Sequence, residues 1–273
     1  MLKNITFGQY FERNSFVHKL DPRAKLLLLI TIIVFIFVSQ NWLSLSLIIF
    51  LVIFSMFLSK IPIKMYLKNL KAILPIVIFT MLINVFYSSG DVEPSWTLNL
   101  FWGLKITDIS LNRALYMVVR ILLLIIASAE LTYTTTPNSL TDAIEKLLSP
   151  LRFIGLKRVV HTLAMMMTIA LRFIPTLIEE TFKIMNAQKA RGADIENGKL
   201  IQRIKALIPI LIPLLISSVR RAFELAEAME CRCYNNGEGR VRMNQLKYTI
   251  KDFVAFSTVI VFCSAVIVVN IIF

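Results

Sequence analysis

Two short stretches each set a single arginine between small residues: Ala190-Arg191-Gly192 and Cys231-Arg232-Cys233. A guanidinium flanked by so little bulk can enter a partner's pocket with little obstruction. Its planar fork can grip a carboxylate there through charge-assisted hydrogen bonds. Two such tips suggest a two-point plug. A plainer role competes: two cations closing the carbonyl ends of two helices, where the dipole favours positive charge. The surroundings of the tips favour the plug.

Other residues able to do chemistry are few. Arg120 and Glu130 fall inside an apolar segment, where ionisable groups are functional candidates by default. Their spacing puts them on different helical faces, so they are not read as a pair. Gly192 to Lys199 superficially resembles a phosphate loop, but the glycines Gly192 and Gly198 stand one residue too far apart and Leu200 replaces the required Ser or Thr. The chain is therefore expected to bind no ATP. Cys231 and Cys233 are too close for a zinc pair and no second pair exists, while His18 and His161 are isolated, so no metal or other cofactor is expected. No serine, cysteine or histidine constellation for covalent catalysis is present, and the expected role is non-enzymatic.

The chain that carries these residues is built for a membrane. It has 273 residues, 57% of them apolar, a mean hydropathy of +0.71 and 17% charged residues, which excludes an ordinary soluble domain. The first twenty residues hold Lys3, Arg13 and Lys19 without an apolar core, so no cleavable signal peptide is expected and the first span should direct insertion. The net charge of +13 lies between apolar spans and in one long polar-interrupted region, not in a stripe with interleaved aromatics. That pattern fits the positive-inside rule and argues against nucleic acid. Three cysteines give no disulfide framework.

A span needs about 20 apolar residues to cross about 30 Å of hydrocarbon. Leu26 to Leu58 is too long for one helix and is expected to form a hairpin turning at Ser39-Gln40-Asn41-Trp42, with Lys25 and Lys60 snorkelling from its ends. A third span is expected over about Ala72–Tyr87, with Pro75 near its start, a fourth over Ala114–Leu131 and a fifth over Phe253–Phe273. Residues 1–25 and the Lys60–Lys71 loop are rich in lysine and arginine, whereas Ser88–Arg113 is not. The N-terminus is therefore expected in the cytoplasm and the C-terminus outside.

Between the fourth and fifth spans, residues 132–252 should form a cytoplasmic module. Val159–Pro175 and Ala206–Ile216 are apolar enough to tempt a span assignment, but crossing there would carry Lys183, Lys189, Arg191, Lys199 and Arg203 outside. Long helices at or just under the cytoplasmic surface fit better. The first should open at Thr136-Pro137, a capping hydroxyl followed by proline at the first helical position. The second should run from about Lys157 to Arg191, bend near Pro175 and stop at Gly192. In it Ile174, Ile178, Phe182 and Met185 share one face, with Glu179 and Lys183 on another. The third should run from about Leu200 to Tyr234 and stop at Asn235-Asn236-Gly237.

Five motifs in order resemble the T component of energy-coupling factor (ECF) transporters. They are Leu20-Asp21-Pro22-Arg23-Ala24-Lys25, Leu131-Thr132-Tyr133-Thr134-Thr135-Thr136-Pro137, Leu171-Arg172-Phe173-Ile174-Pro175-Thr176, the stretch from Ala187 to Asp194, and that from Arg221 to Tyr234. The resemblance implies an all-α membrane protein of about five transmembrane helices plus three amphipathic coupling helices. Residues 1–131 would be the N-terminal membrane region, 132–252 the coupling module and 253–273 the last span. It implies a cell-membrane subunit with two cytoplasmic ATP-binding-cassette ATPases and a membrane S component as partners, importing vitamins or trace metals. Ala190, Arg191, Gly192, Cys231, Arg232 and Cys233 would dock on the ATPases, the second tip departing from the family's usual alanine-arginine-glycine. Arg120, Glu130, Met165, Met166, Met167, Arg172 and Pro175 would serve S-component or intramembrane contacts. For the methionine run a membrane-core role stands beside a surface that repacks as partners move. A permease subunit touching substrate directly is the first alternative. A membrane-embedded enzyme is the second, and the missing nucleophile or acidic metal cluster counts against it.

Overall fold

The computed structural model describes residues 10–87, 97–99, 105–149, 157–192, 200–234 and 246–272. Its helices are α1 (Pro22–Val38), α2 (Trp42–Ser59), α3 (Ile63–Tyr87), α4 (Asp108–Thr134), α5 (Pro137–Leu147), α6 (Lys157–Ala190), α7 (Leu200–Cys231) and α8 (Ile250–Ile272). The chain forms two compact units, one running to Leu140 and resuming at Leu246, the other Thr141–Gln245.

In the first unit, α1, α2, α4 and α8 enclose a core of Leu28, Ile36, Leu45, Ile48, Val52, Leu123, Val259 and Val266. The expected hairpin is present: α1 ends at Val38 and α2 begins at Trp42, with the Asn41 N–H donating to Ser44 Oγ at 3.2 Å. The Asp21 carboxylate accepts from the Arg23 N–H at 2.9 Å, with Pro22 at the first helical position, so Asp21 is the N-cap of α1. Thr136 caps α5 in the same way, accepting from the Ser139 N–H at 3.3 Å. Among the described residues, six helices are long and apolar enough to cross a bilayer: α2, α3, α4, α6, α7 and α8. The apolar α1 has 17 residues.

Several expectations are corrected. The third membrane helix begins at Ile63, so Lys64, Lys68 and Lys71 lie on helix rather than in a loop, and Pro75 sits inside it. Lysine is a good helix former, so the helix continues past the apolar boundary that marks the span. The fourth begins at Asp108, where Thr107 Oγ1 accepts from the Ser110 N–H at 3.1 Å. Segment 88–113 also contains a short antiparallel pair, Thr97–Asn99 (β1) with Lys105–Thr107 (β2). Lys25 does not snorkel. It is buried, and its ammonium donates to the Thr134 carbonyl at 2.8 Å and the His18 carbonyl at 3.3 Å. Lys60 instead takes a left-handed backbone (φ 56°) that ends α2, and its carbonyl accepts from Arg13 at 3.1 Å.

A buried carboxylate joins the two ends of this unit. Asp252, fully buried at the start of α8, accepts from the Asp21 N–H at 2.8 Å, the Thr249 N–H at 2.6 Å and the Thr249 hydroxyl at 2.8 Å. Arg23 pairs with Asp21 at 2.8 Å and lies 4.2 Å from the centre of the Tyr248 ring. Asp252→Ala would strand these donors at about 1–3 kcal/mol per unmet group. We expect a lowered unfolding temperature of the purified chain in detergent; an unchanged one would contradict the clasp.

Just before α1, the His18 ring lies between Ser15 Oγ at 2.6 Å and the Phe11 carbonyl at 2.8 Å. Burial pushes its pKa below the ordinary 6.5, the Phe11 carbonyl works in the opposite direction, and nearby Lys25 lowers it further. The folded chain thus resists protonation that the unfolded chain accepts. The resulting stability is present above about pH 6.5 and is lost as pH falls through the depressed folded value. His18→Gln should flatten the acid side of a stability–pH curve; an unaltered slope would remove this assignment.

Candidate functional site

Both arginine tips sit at equivalent positions of their helices. On α6 the Gly192 N–H donates to the Lys189 carbonyl at 3.0 Å, and Gly192 is left-handed at φ +86°. Arg191 is therefore the last half-helical residue before a left-handed stop. On α7 the Cys233 N–H donates to the Glu230 carbonyl at 2.8 Å and the Tyr234 N–H to the Met229 carbonyl at 3.1 Å, with Cys233 left-handed at φ 52°. This is a Schellman closure, which places Arg232 in the same capping position as Arg191. The helix thus ends at Cys231 rather than Tyr234, because Cys233 itself turns the chain; Asn235-Asn236-Gly237 lie outside the described residues. All six tip residues, Ala190 to Gly192 and Cys231 to Cys233, are exposed.

The two long helices are pinned to one another. Glu180 of α6 accepts from Arg221 of α7 at 2.7 Å and from the Ser217 hydroxyl. Gln188, close to the first tip, donates to the Pro209 carbonyl at 3.4 Å. His161 of α6 meets Glu145 of α5 at 3.3 Å. The expected face of Ile174, Ile178, Phe182 and Met185 is half-buried, with Glu179 and Lys183 exposed. Much of the rest is uncovered: Leu163, Met166 and Met167 on α6, and Leu211, Leu215 and Phe223 on α7. Met165 is half-buried, and Arg172 and Pro175 are exposed.

Arg120 and Glu130 are not brought together. Arg120 donates to the Ser39 carbonyl at 2.7 Å and lies 4.9 Å from the centre of the Tyr116 ring, while its Nε is buried without a hydrogen-bond partner among the described residues. Glu130 accepts from Ser55 at 2.7 Å through one oxygen, and the other is buried and likewise unmatched. The sequence reading missed Asp252, Lys25 as a buried donor, and the Glu180–Arg221 pair. Thr134 and Arg221 lie far along the chain from Lys25 and Glu180, so only spatial neighbours reveal those contacts, whereas Asp252 also carried a local signal in the capping spacing Thr249-x-x-Asp252. No group of three or more His, Cys, Asp or Glu able to hold a metal occurs among the described residues.

A helical, multi-pass membrane protein with two capped cationic helix ends is the class this fold defines. The family model described as CbiQ, cobalt transport protein, matches residues 13–243. Relatives named energy-coupling factor transporter transmembrane protein EcfT include that of Ruminiclostridium cellulolyticum, 49% identical over the full length of both chains. That of Clostridium kluyveri is 48% identical over 93% of both. That of Lactococcus lactis subsp. cremoris is 41% identical over 95% of this chain and 96% of its own. The chain belongs to this family of transporter transmembrane proteins.

The two left-handed stops differ in cost. A side chain in that conformation costs about 1–2 kcal/mol that glycine avoids. Gly192→Val should therefore accelerate amide exchange in the last turn of α6, and Cys233→Gly should slow it in the last turn of α7. The opposite pattern would mean that neither residue governs its helix end.

Proposed function

We propose that the chain is the coupling subunit of an ECF-type importer. In this reading it transmits ATP-driven closure of two cytoplasmic ATPases to a membrane S component that captures a vitamin or trace metal. The observation that carries it is the equivalence of Arg191 and Arg232, each exposed at the capping position of a long helix in a braced pair. The names of the relatives and the family description support a transport role. The N-terminus and the tips face the cytoplasm and the C-terminus lies outside, as the distribution of lysine and arginine favours. The chain itself binds no nucleotide, metal or other cofactor and makes no covalent bond; its work is mechanical.

Each tip docks by one guanidinium in a groove of one ATPase, lined by acids that its fork can engage. Cys231 and Cys233 keep the second tip slim. Because the Glu180–Arg221 pair and Ser217 tie the helices together, displacement at one tip moves the other helix as well. The apolar faces of α6 and α7 are patches that call for cover, and the S component, together with lipid, supplies it. Met166 and Met167, flexible and exposed, allow that cover to slide and repack. Arg172 and Pro175, exposed elsewhere on α6, offer it further contacts.

Removing one side of a docked charge pair costs about 2–5 kcal/mol of association. Arg191→Glu and Arg232→Glu should each weaken co-purification with the two ATPases in mild detergent and lower ATP-driven uptake, and the double change should abolish both. A folded double variant that keeps complex and uptake would reduce the arginines to helix-end residues.

A further inference from the structure

At the end of the first unit where α1 gives way to α2, a cavity of about 560 Å³ opens beside α3 and α4. Its lining includes the guanidinium-bearing Arg113 and Arg120, the amides of Gln40 and Asn84, and the rings of Trp42 and Tyr116. No carboxylate is among its described lining residues. We propose that this cavity binds the phosphodiester of a phospholipid headgroup from the leaflet at that end of the helices.

Its walls are already set. Tyr116 donates to the Ser39 carbonyl at 2.8 Å, and the Trp42 indole donates to Asn112 at 2.8 Å while packing edge-on against Tyr116 at 5.3 Å. Arg120 is fixed by its bond to the same Ser39 carbonyl. Its buried Nε stays unmatched among the described residues, a donor that an anion would satisfy. With no carboxylate among the described lining residues, Arg120 at a membrane boundary is costly until an anion arrives. A phosphodiester offers oxygens to two guanidinium groups at once.

The surroundings select a lipid over a free ion. Trp42 and Tyr116 are the ring types that settle at the headgroup level of a bilayer. The α1–α2 turn, at which Arg120 reaches Ser39, marks that level. Leu43 and Leu115, the chain neighbours of Trp42 and Tyr116, are exposed and offer apolar surface to the acyl chains. The site does not depend on the coupling role proposed above, nor on which leaflet this end meets.

The test is native mass spectrometry of the full chain, stripped of lipid and titrated with phosphatidylglycerol, with diacylglycerol and with inorganic phosphate. One saturable phosphatidylglycerol adduct is expected, with diacylglycerol failing to bind and millimolar phosphate failing to displace it. Arg113→Gln, which removes a charge-assisted bond, should weaken retention roughly tenfold. Met117→Trp, which fills the cavity without touching charge, should do the same. These positions avoid Arg120, whose loss would also free the end of α1. Equal retention by both variants, or by diacylglycerol, would show an unspecific lipid shell and overturn the proposal. Displacement by inorganic phosphate would give the site to a free anion and overturn it too.

Discussion

Two cations, buried Lys25 and half-buried Arg120, each close the carbonyl end of the other's helix and fix the frame on which everything else rests. Lys25 near the start of α1 donates to Thr134 at the end of α4, and Arg120 of α4 donates to Ser39 at the end of α1. Ser39 lies as far beyond Lys25 along one helix as Thr134 lies beyond Arg120 along the other, so both rungs close only if the antiparallel helices are in one register. Terminal carbonyls have no partner within their own helix, and a helix end is where the dipole favours positive charge. A slip of one residue would strand cations and carbonyls together. That penalty is what sets Leu28 and Ile36 against Leu123 and lets α2 and α8 complete the core.

The clasp at Asp252 extends the same logic. A carboxylate excluded from solvent is tolerable only with its oxygens occupied, and Asp252 finds its donors on the segment before α8 and on Asp21. The last membrane helix is thereby tied to the first turn of α1, although most of the sequence separates them. The result is a stiff unit in which intramembrane charge serves the fold. The second unit is different in kind: α6 and α7 are held to each other by a few polar ties and leave long apolar faces uncovered. Apolar faces of that extent call for cover by lipid or protein.

Much of this was legible in the chain. Apolar runs bounded by lysines located the membrane helices, Thr136-Pro137 marked a helix start, and Ala190-Arg191-Gly192 marked a helix end. Each signal is local, because capping and hydropathy act within a turn or a span. The misreadings fell where local signals compete. The lysines of α3 looked like loop yet are good helix formers. Cys233 gave no hint that it would adopt the left-handed turn that glycine adopts at the other tip. Lys25 looked like a surface anchor because its acceptors are residues 18 and 134.

The sequence by itself determined that this is a helical membrane protein, where most helices lie and which two arginines stand at helix ends, since those properties follow from composition and short-range spacing. Only the tertiary structure decided which carbonyls Lys25 and Arg120 close, that Asp252 joins the first and last membrane helices, and that Glu180 of α6 is tied to Arg221 of α7. These depend on the apposition of residues distant in the chain, and the cost of leaving a buried polar group unmatched is what selects one apposition among many.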